Sequence, residues 1–122
     1  MLIFAIGTAV TAVIVAAAHF VLSARAVLKP LFAEPTKGVL AVSAMRDLTW
    51  VMFQLHSFVW ASLGIAVLLN RLESGSHMIG YLAILIFTAS GIGNFAALRR
   101  AHPGGLLLLF AAALSAADIW FN

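Results

Sequence analysis

The chain has 122 residues, of which 64% are hydrophobic and only 9% are charged, and its mean hydropathy is +1.11. Soluble domains are about half apolar and about a quarter charged. A soluble domain this short buries only about 60–70% of the surface that its open chain exposes. The composition therefore excludes an ordinary soluble protein and predicts a membrane protein.

The distribution of charge and the absence of cysteine exclude further kinds of partner and site. Seven Lys and Arg outnumber four Asp and Glu, but the basic residues stand singly or in pairs between apolar runs. That distribution sets orientation in a membrane and is not a basic surface for nucleic acid, so no nucleic-acid partner is expected. The chain has no cysteine, which excludes disulfides, thiolate metal sites and cysteine nucleophiles.

Four apolar segments follow one another along the chain, and each approaches or exceeds the roughly 20 residues that span a hydrocarbon core. The second and third connections are short, so the helices that they join are expected to form antiparallel hairpins. The sequence thus predicts an all-α membrane protein: a single domain (1–122) folded as a four-helix up-down-up-down transmembrane bundle. The segments are 2–28, 50–70, 78–98 and 104–121.

The first connection, residues 29–49, is long and contains Pro30 and Pro35, which are expected to break or bend the chain. From Gly38 onward the pattern is compatible with a helix again. Residues 38–47 are therefore predicted to form a cytoplasmic interfacial helix or to extend the second helix into water. A structureless loop of roughly 20 residues would be uncommon in a compact domain.

Orientation follows from the distribution of Lys and Arg among the connections. Six of these residues lie in or beside the first and third connections, and only Arg71 lies in the second. The first and third connections are therefore predicted to be cytoplasmic, in a multi-pass protein of the bacterial inner membrane with both termini outside. Trp50 and Trp120 stand near segment ends, where amphipathic rings prefer to lie.

Polar side chains are predicted at one common depth in three helices. His19 lies six residues before Arg25, and His56 lies six residues after Trp50. Each distance is about 9 Å from the cytoplasmic boundary at 1.5 Å per residue. Asn94 lies about 7.5 Å from the same boundary. Intramembrane polar residues are by default candidates for function. The predicted polar layer consists of His19, Ser23, Gln54, His56, Ser57, Ser90 and Asn94.

Helical spacing assigns several residues to common faces. The first helix carries a polar stripe at i, i+3/i+4 spacing from Thr8 to Ser23. In the third helix, Ala89, Gly93 and Ala97 recur every four residues beside the two polar positions of that helix. Such a small-residue row is typical of close helix contact in membranes.

The matched histidines admit different functions. Neutral imidazoles on neighbouring helices can ligate one haem iron axially, so His19 and His56 are candidate ligands of haem b or a chlorin, and a quinone could use the same groups. Alternatively, the polar side chains only hydrogen-bond to one another and hold the helices together. A third interpretation is a small transporter or channel lined by the stripe of the first helix. No other metal site is expected.

The remaining polar residues offer poorer sites. Asp118, near the external interface, is expected to be partly solvated and to face Arg71. Glu34 and Asp47 are single loop carboxylates without an acid or base partner, and the chain has no Ser–His–Asp set, phosphate-binding Gly loop or HExxH. The chain is therefore not expected to be an enzyme.

Three stretches of the chain occur together in a known pattern. They are His19 with "LKPLF" (28–32) after it, "LHSFVWASLGIAVLL" (55–69), and "SGIGNFAALRRAHPG" (90–104). In these stretches the chain resembles a widespread group of small, largely uncharacterised bacterial four-helix integral membrane proteins. The resemblance covers most of the chain. It implies a four-helix membrane fold with the two histidines as part of the common plan, and it implies no activity.

The leading functional interpretation is a non-catalytic accessory or structural subunit of a larger membrane complex. Such a protein needs helix-packing faces and no reaction chemistry. Its expected neighbours are the lipid bilayer and either partner membrane subunits or further copies of this chain. The haem- or quinone-binding redox protein is the second interpretation, and the transporter or channel is the third.

Overall fold

The computed structural model describes residues 2–34 and 37–122, and within these ranges every regular element is helical and no strand occurs. Four helices are long and apolar enough to cross a membrane, and together they indicate a multi-pass membrane protein. The prediction of an all-helical chain with four membrane-length helices is confirmed. We name the helices α1 (Leu2–Ala33), α2 (Ser43–Leu72), α3 (Met78–Leu98) and α4 (Pro103–Trp120).

The first helix continues beyond the predicted end of its segment. A π-helical turn at Ser23–Leu28 joins its two α-helical parts, and the Lys29 N–H donates to the carbonyl of Ala24, five residues back. Proline lacks an N–H and crowds the preceding helical turn. The wider π turn directly before Pro30 lets the helix pass that residue. The predicted boundary before Pro30 is therefore wrong, and Pro35 lies outside the described residues.

The connection between α1 and α2 includes a short 3₁₀ helix, Gly38–Ala41. From Ser43 onward the chain is already part of α2. Of the two forms predicted for residues 38–47, the extension of the second helix is therefore present from Ser43. A separate interfacial α-helix does not occur among the described residues of this connection.

The four helices do not pack in chain order. α1 lies along α2 on one side and along α4 on the other, and α3 lies along α4. The consecutive helices α2 and α3 meet only over a small area. The bundle is therefore closed along three of its helix pairs and open between α2 and α3.

Small residues bring the packed helices close together. A Cβ added at Gly64 of α2 would collide with Cβ of Ala12 on α1. A Cβ at Gly91 of α3 would lie 2.8 Å from Cγ of Leu109 and 3.0 Å from the carbonyl oxygen of Gly105, both on α4. Close backbone approach of this kind is how transmembrane helices gain packing energy. The core is formed by Ala5, Ala12, Val15, Ala16, Trp60, Val67, Ala83, Phe87, Leu108, Ala111 and Ala112.

The outer surface of the bundle is largely apolar. Phe58 and Leu85 are each 65% exposed, and Phe110 is 55% exposed. A soluble protein rarely exposes contiguous apolar surface on this scale, whereas a lipid-facing surface requires it. The exposed faces therefore agree with the length and composition of the helices.

Candidate functional site

An open groove lies between α2 and α3, which meet only over a small area. Its volume is about 640 Å³, and α1 contributes His19 to its lining. His56, Ser90 and Asn94 of the predicted polar layer also line it. The wall formed by α3 is the small-residue row predicted from the sequence: Ala89, Gly93 and Ala97.

The two histidines lie side by side in this groove. Their ring centroids are 6.3 Å apart, and the ring planes are inclined by 54°. His19 is half-buried, whereas His56 is exposed. Helix rise alone gives only the height of each residue, so the sequence left their relative orientation open. The structure places both rings on the same groove.

Each imidazole is held through its Nδ1 atom. His56 Nδ1 lies 3.0 Å from the carbonyl oxygen of Met52. A carbonyl only accepts, so Nδ1–H donates, and Nε2 of the neutral ring keeps its lone pair. His19 Nδ1 lies 3.0 Å from Oγ of Ser57. Neither Nε2 atom has a hydrogen-bond partner in the described part of the chain, so Nε2 is the free nitrogen of each ring.

Sequence reasoning placed Trp60 on one face of the second helix with His56 but did not assign it to this site. Trp60 is 3% exposed, and its Nε1–H donates to Oγ of Ser90 at 3.1 Å, which links α2 to α3. Its ring centroid lies 4.9 Å from that of His19 and 5.9 Å from that of His56. The available signal was the i, i+4 spacing of His56 and Trp60, which places both on one face of α2.

The position of Trp60 bears on the predicted haem or chlorin. The centroids of His19, His56 and Trp60 form a triangle whose sides are 6.3 Å between the imidazoles and 4.9 and 5.9 Å from each imidazole to the indole. In this triangle the indole centroid lies within 4.9 Å of the midpoint between the two imidazoles. An iron bound axially by His19 and His56 would lie at that midpoint. A porphyrin extends farther than this from its iron, so the macrocycle does not fit beside Trp60 in this position. Axial ligation by both histidines stays a prediction that requires the indole to move.

Asn94 is half-buried in the groove wall of α3. Its Nδ2 donates to the carbonyl oxygen of Ser90 at 3.0 Å. One N–H and the side-chain oxygen remain for other partners, because a primary amide has two donor hydrogens and one acceptor oxygen. Asn94 therefore retains hydrogen-bonding capacity that faces the groove.

The other members of the polar layer lie between α1 and α2 and do not line the groove. Ser23 Oγ donates to Oε1 of Gln54 at 3.5 Å, and Gln54 Nε2 donates to the carbonyl of Phe20 at 3.3 Å. Ser57 holds His19 from the same side. Interhelical hydrogen bonds of this kind average about 0.6 kcal/mol in membranes. The residues of the predicted polar layer thus form two groups, one between α1 and α2 and one that lines the groove.

The polar stripe of α1 also packs between helices. Thr8 Oγ1 donates to the carbonyl of Phe4 at 3.0 Å and accepts from Oγ of Ser115 on α4 at 3.4 Å. Thr8 and Thr11 are both buried. These residues therefore hold the helices together in the structure, and their role in a transport path stays a prediction.

A separate polar cluster lies at the other end of the bundle. Arg71 Nε lies 3.6 Å from Oδ1 of Asp118, so the expected pair is confirmed. Arg71 also donates to Oδ1 of Asn122. Asp118 is only 8% exposed and is thus less solvated than expected. The space beside the pair, about 20 Å³, is large enough for a single water molecule.

Chemical sites of other kinds are not evident. Within the described ranges no three His, Cys, Asp or Glu side chains come together as a metal site. No protein-family model, curated protein or solved structure matches the chain. The resemblance to small four-helix bacterial membrane proteins therefore stays a prediction.

Proposed function

We propose that this chain is an integral protein of the bacterial inner membrane that serves as a non-catalytic accessory subunit of a larger membrane complex. In this proposal the chain is an up-down-up-down bundle with both termini outside. The order of contacts between α1 and α2 supports the first hairpin. Ala12 meets Gly64 and His19 meets Ser57, so residue numbers rise along one helix and fall along the other.

The observation that carries the proposal is the uncovered small-residue wall of the groove. A Cβ added at Gly93 would have no described atom within 4 Å. Gly91, two residues earlier, packs closely against α4. Rows of small residues in transmembrane helices permit close approach of another helix. We propose that a transmembrane helix of a partner subunit occupies the groove against Ala89, Gly93 and Ala97.

The polar groups of the groove favour a protein occupant over lipid tails. Asn94 keeps one N–H and one oxygen free. Hydrocarbon offers these atoms no hydrogen bond, and an unsatisfied polar group in an apolar medium costs several kcal/mol. A partner helix with a polar side chain at this depth would satisfy them. Water at the cytoplasmic end of the groove could replace only part of that stabilisation.

Co-purification from native membranes tests this function. The tagged chain is crosslinked in its own membrane, extracted in mild detergent and analysed for stoichiometric membrane partners. Gly93→Leu fills the groove wall and is expected to abolish recovery of the partner. Ile92→Phe is the matched control, because Ile92 is 57% exposed and lies outside the groove lining. This control should recover the partner normally.

The same experiment has results that contradict the proposal. A wild-type chain that is recovered alone from crosslinked native membranes would overturn the accessory-subunit function. Equal partner recovery with Gly93→Leu would place the interface elsewhere and overturn the groove as its site. Co-expression of two differently tagged forms tests whether the partner is a second copy of this chain. Recovery of both tags in one complex would show a homo-oligomer and would contradict a partner subunit of another kind.

The second candidate function is binding of a redox cofactor, haem b or a quinone. It is favoured by the free Nε2 atoms of His19 and His56 in one groove. Haem b, unlike a quinone, also requires the indole of Trp60 to move. An absorption spectrum of protein purified from native membranes, with extraction of bound quinone, tests it. A Soret band or a stoichiometric quinone that His56→Ala removes would establish this function. A colourless, quinone-free protein that retains its partner would exclude the redox cofactor and support the accessory-subunit function.

A further inference from the structure

We infer that His19 and His56 together bind one soft monovalent metal ion of the Cu(I) class on the α2 side of the groove. Imidazole nitrogen is a good ligand for copper. The inference concerns the isolated chain and does not depend on the partner subunit. The position of Trp60 leaves too little space for a haem macrocycle between these two histidines, whereas a bare metal ion needs no such space.

The separation of the two rings suits a single shared ion. Each metal–nitrogen bond is about 2.0–2.1 Å, so two imidazoles on opposite sides of one ion have centroids roughly 6 Å apart. The observed centroid separation of His19 and His56 is 6.3 Å. Cu(I) accepts two ligands in a nearly linear arrangement. A bare ion, unlike haem iron, needs no space in the plane between the rings.

Both ligand nitrogens are already oriented by their neighbours. His56 donates from Nδ1 to a backbone carbonyl, and Nδ1 of His19 is bonded to Ser57. Metal-binding histidines commonly use their second nitrogen in this way, which fixes ring orientation and leaves the other nitrogen for the metal. The arrangement thus presents two supported imidazoles in one groove.

The charge of the site selects a monovalent ion. No Asp or Glu occurs among the described residues that line the groove, so no carboxylate compensates the charge of the ion. The cost of burying an ion rises with the square of its charge, which makes a divalent ion about four times as costly as a monovalent one. Zn²⁺ also takes at least three protein ligands, and Mg²⁺ and Ca²⁺ require oxygen ligands.

Two further side chains favour a soft cation. Met52 lines the same groove one helical turn before His56, and thioether sulfur selects Cu(I) among biological metals. The indole of Trp60 lies within 4.9 Å of the point midway between the imidazoles. A cation over the face of an indole ring and within about 6 Å of its centroid is attracted by the π-electrons. Two imidazoles, a thioether and an indole therefore line the same groove.

Competition for Cu(I) tests the site on protein freed of its purification tag and kept anaerobic in detergent. Cu(I) is supplied with a chromophoric Cu(I) chelator, and the wild type is expected to remove one ion per chain. His56→Ala should weaken binding by at least about 100-fold, more than the 10–100-fold typical of losing a supporting neighbour. Ser57→Ala should weaken it by about 10-fold. His77→Ala is the matched control and should leave the affinity unchanged, because His77 lies outside the groove.

X-ray absorption of the Cu(I)-loaded wild type gives a second measurement that does not depend on how any variant folds. Two nitrogen ligands per copper are expected, and a sulfur ligand that disappears in Met52→Leu would place Met52 in the site. The inference is overturned if the His19→Ala/His56→Ala variant binds Cu(I) as tightly as the wild type. It is also overturned if the wild type does not compete with the chelator, or if Zn²⁺ displaces Cu(I) at equal concentration.

Discussion

Two glycines at helix surfaces, Gly64 and Gly93, differ in what lies in front of them. A side chain at Gly64 would collide with Ala12 and would approach the Ala9 Cα to 3.3 Å. A side chain at Gly93 would meet no described atom within 4 Å. Both belong to small-residue faces of membrane-length helices. Only the face around Gly64 is covered by another helix of the same chain.

Small residues in a membrane helix therefore do not by themselves identify the helix that packs against them. At the α1–α2 and α3–α4 interfaces they bring two helices of one chain together. In the groove the same pattern stays uncovered, next to polar atoms that hydrocarbon cannot satisfy. The closed interfaces account for the stability of the chain, whereas the open face accounts for its proposed interaction with a partner. Substitutions that separate stability from binding therefore test the comparison.

Gly64→Leu should have the largest effect on stability. The leucine side chain has to displace α1, because Cβ alone collides with Ala12. Overpacking typically costs about 1–3 kcal/mol and occasionally more, so a loss of about 3 kcal/mol or more is expected for this bulky change. The free energy of unfolding in mixed detergent micelles, followed by circular dichroism, measures it.

Gly93→Leu is the matched substitution on the open face. Glycine is about 1 kcal/mol less favourable than alanine or leucine in a helix, so this variant should be as stable as the wild type or up to about 1 kcal/mol more stable. A loss of stability comparable to that of Gly64→Leu would contradict the open groove, because it would mean that another part of the chain packs against Gly93.

Arg71→Met should cause the next largest loss, at the end of the bundle away from the groove. Asp118 would be left without its ion-pair partner while being 8% exposed. Breaking a buried pair costs about 3–5 kcal/mol and exposed pairs count for much less, so about 2 kcal/mol is expected for this partly exposed pair. Unfolding measurements of Arg71→Met and of Arg71→Met/Asp118→Asn check it.

The double variant should recover most of the stability lost by Arg71→Met, because a neutral amide in place of Asp118 carries no charge to be compensated. Binding of the partner should be unchanged in both variants, since the pair lies outside the groove lining. An equal loss in the single and double variants would show that Arg71 acts through packing and not through its charge.

The parts of this structure that were predictable are those that depend on position along a helix. Apolar length predicted the four membrane-length helices, and helix rise placed His19 and His56 at one height. The packing order was not predictable, because it depends on which faces of the helices meet, and position along a helix does not determine that. The role of Trp60 was missed for the same reason. Its indole becomes important only once α3 supplies Ser90.

Ser57→Ala should cause the smallest loss of stability, although Ser57 contributes both to the closed α1–α2 interface and, through His19, to the groove. Ser57 is buried between α1 and α2 and bonds to His19, which lines the groove. Losing one interhelical hydrogen bond in a membrane protein costs about 0.6 kcal/mol on average and at most about 1.7. Alanine fits the small-residue face, so no cavity term of note is added. Unfolding in mixed micelles should therefore be nearly unchanged, while the histidine ring loses its orienting partner. A loss above about 2 kcal/mol would contradict this expectation, because it exceeds the largest cost found for one interhelical hydrogen bond.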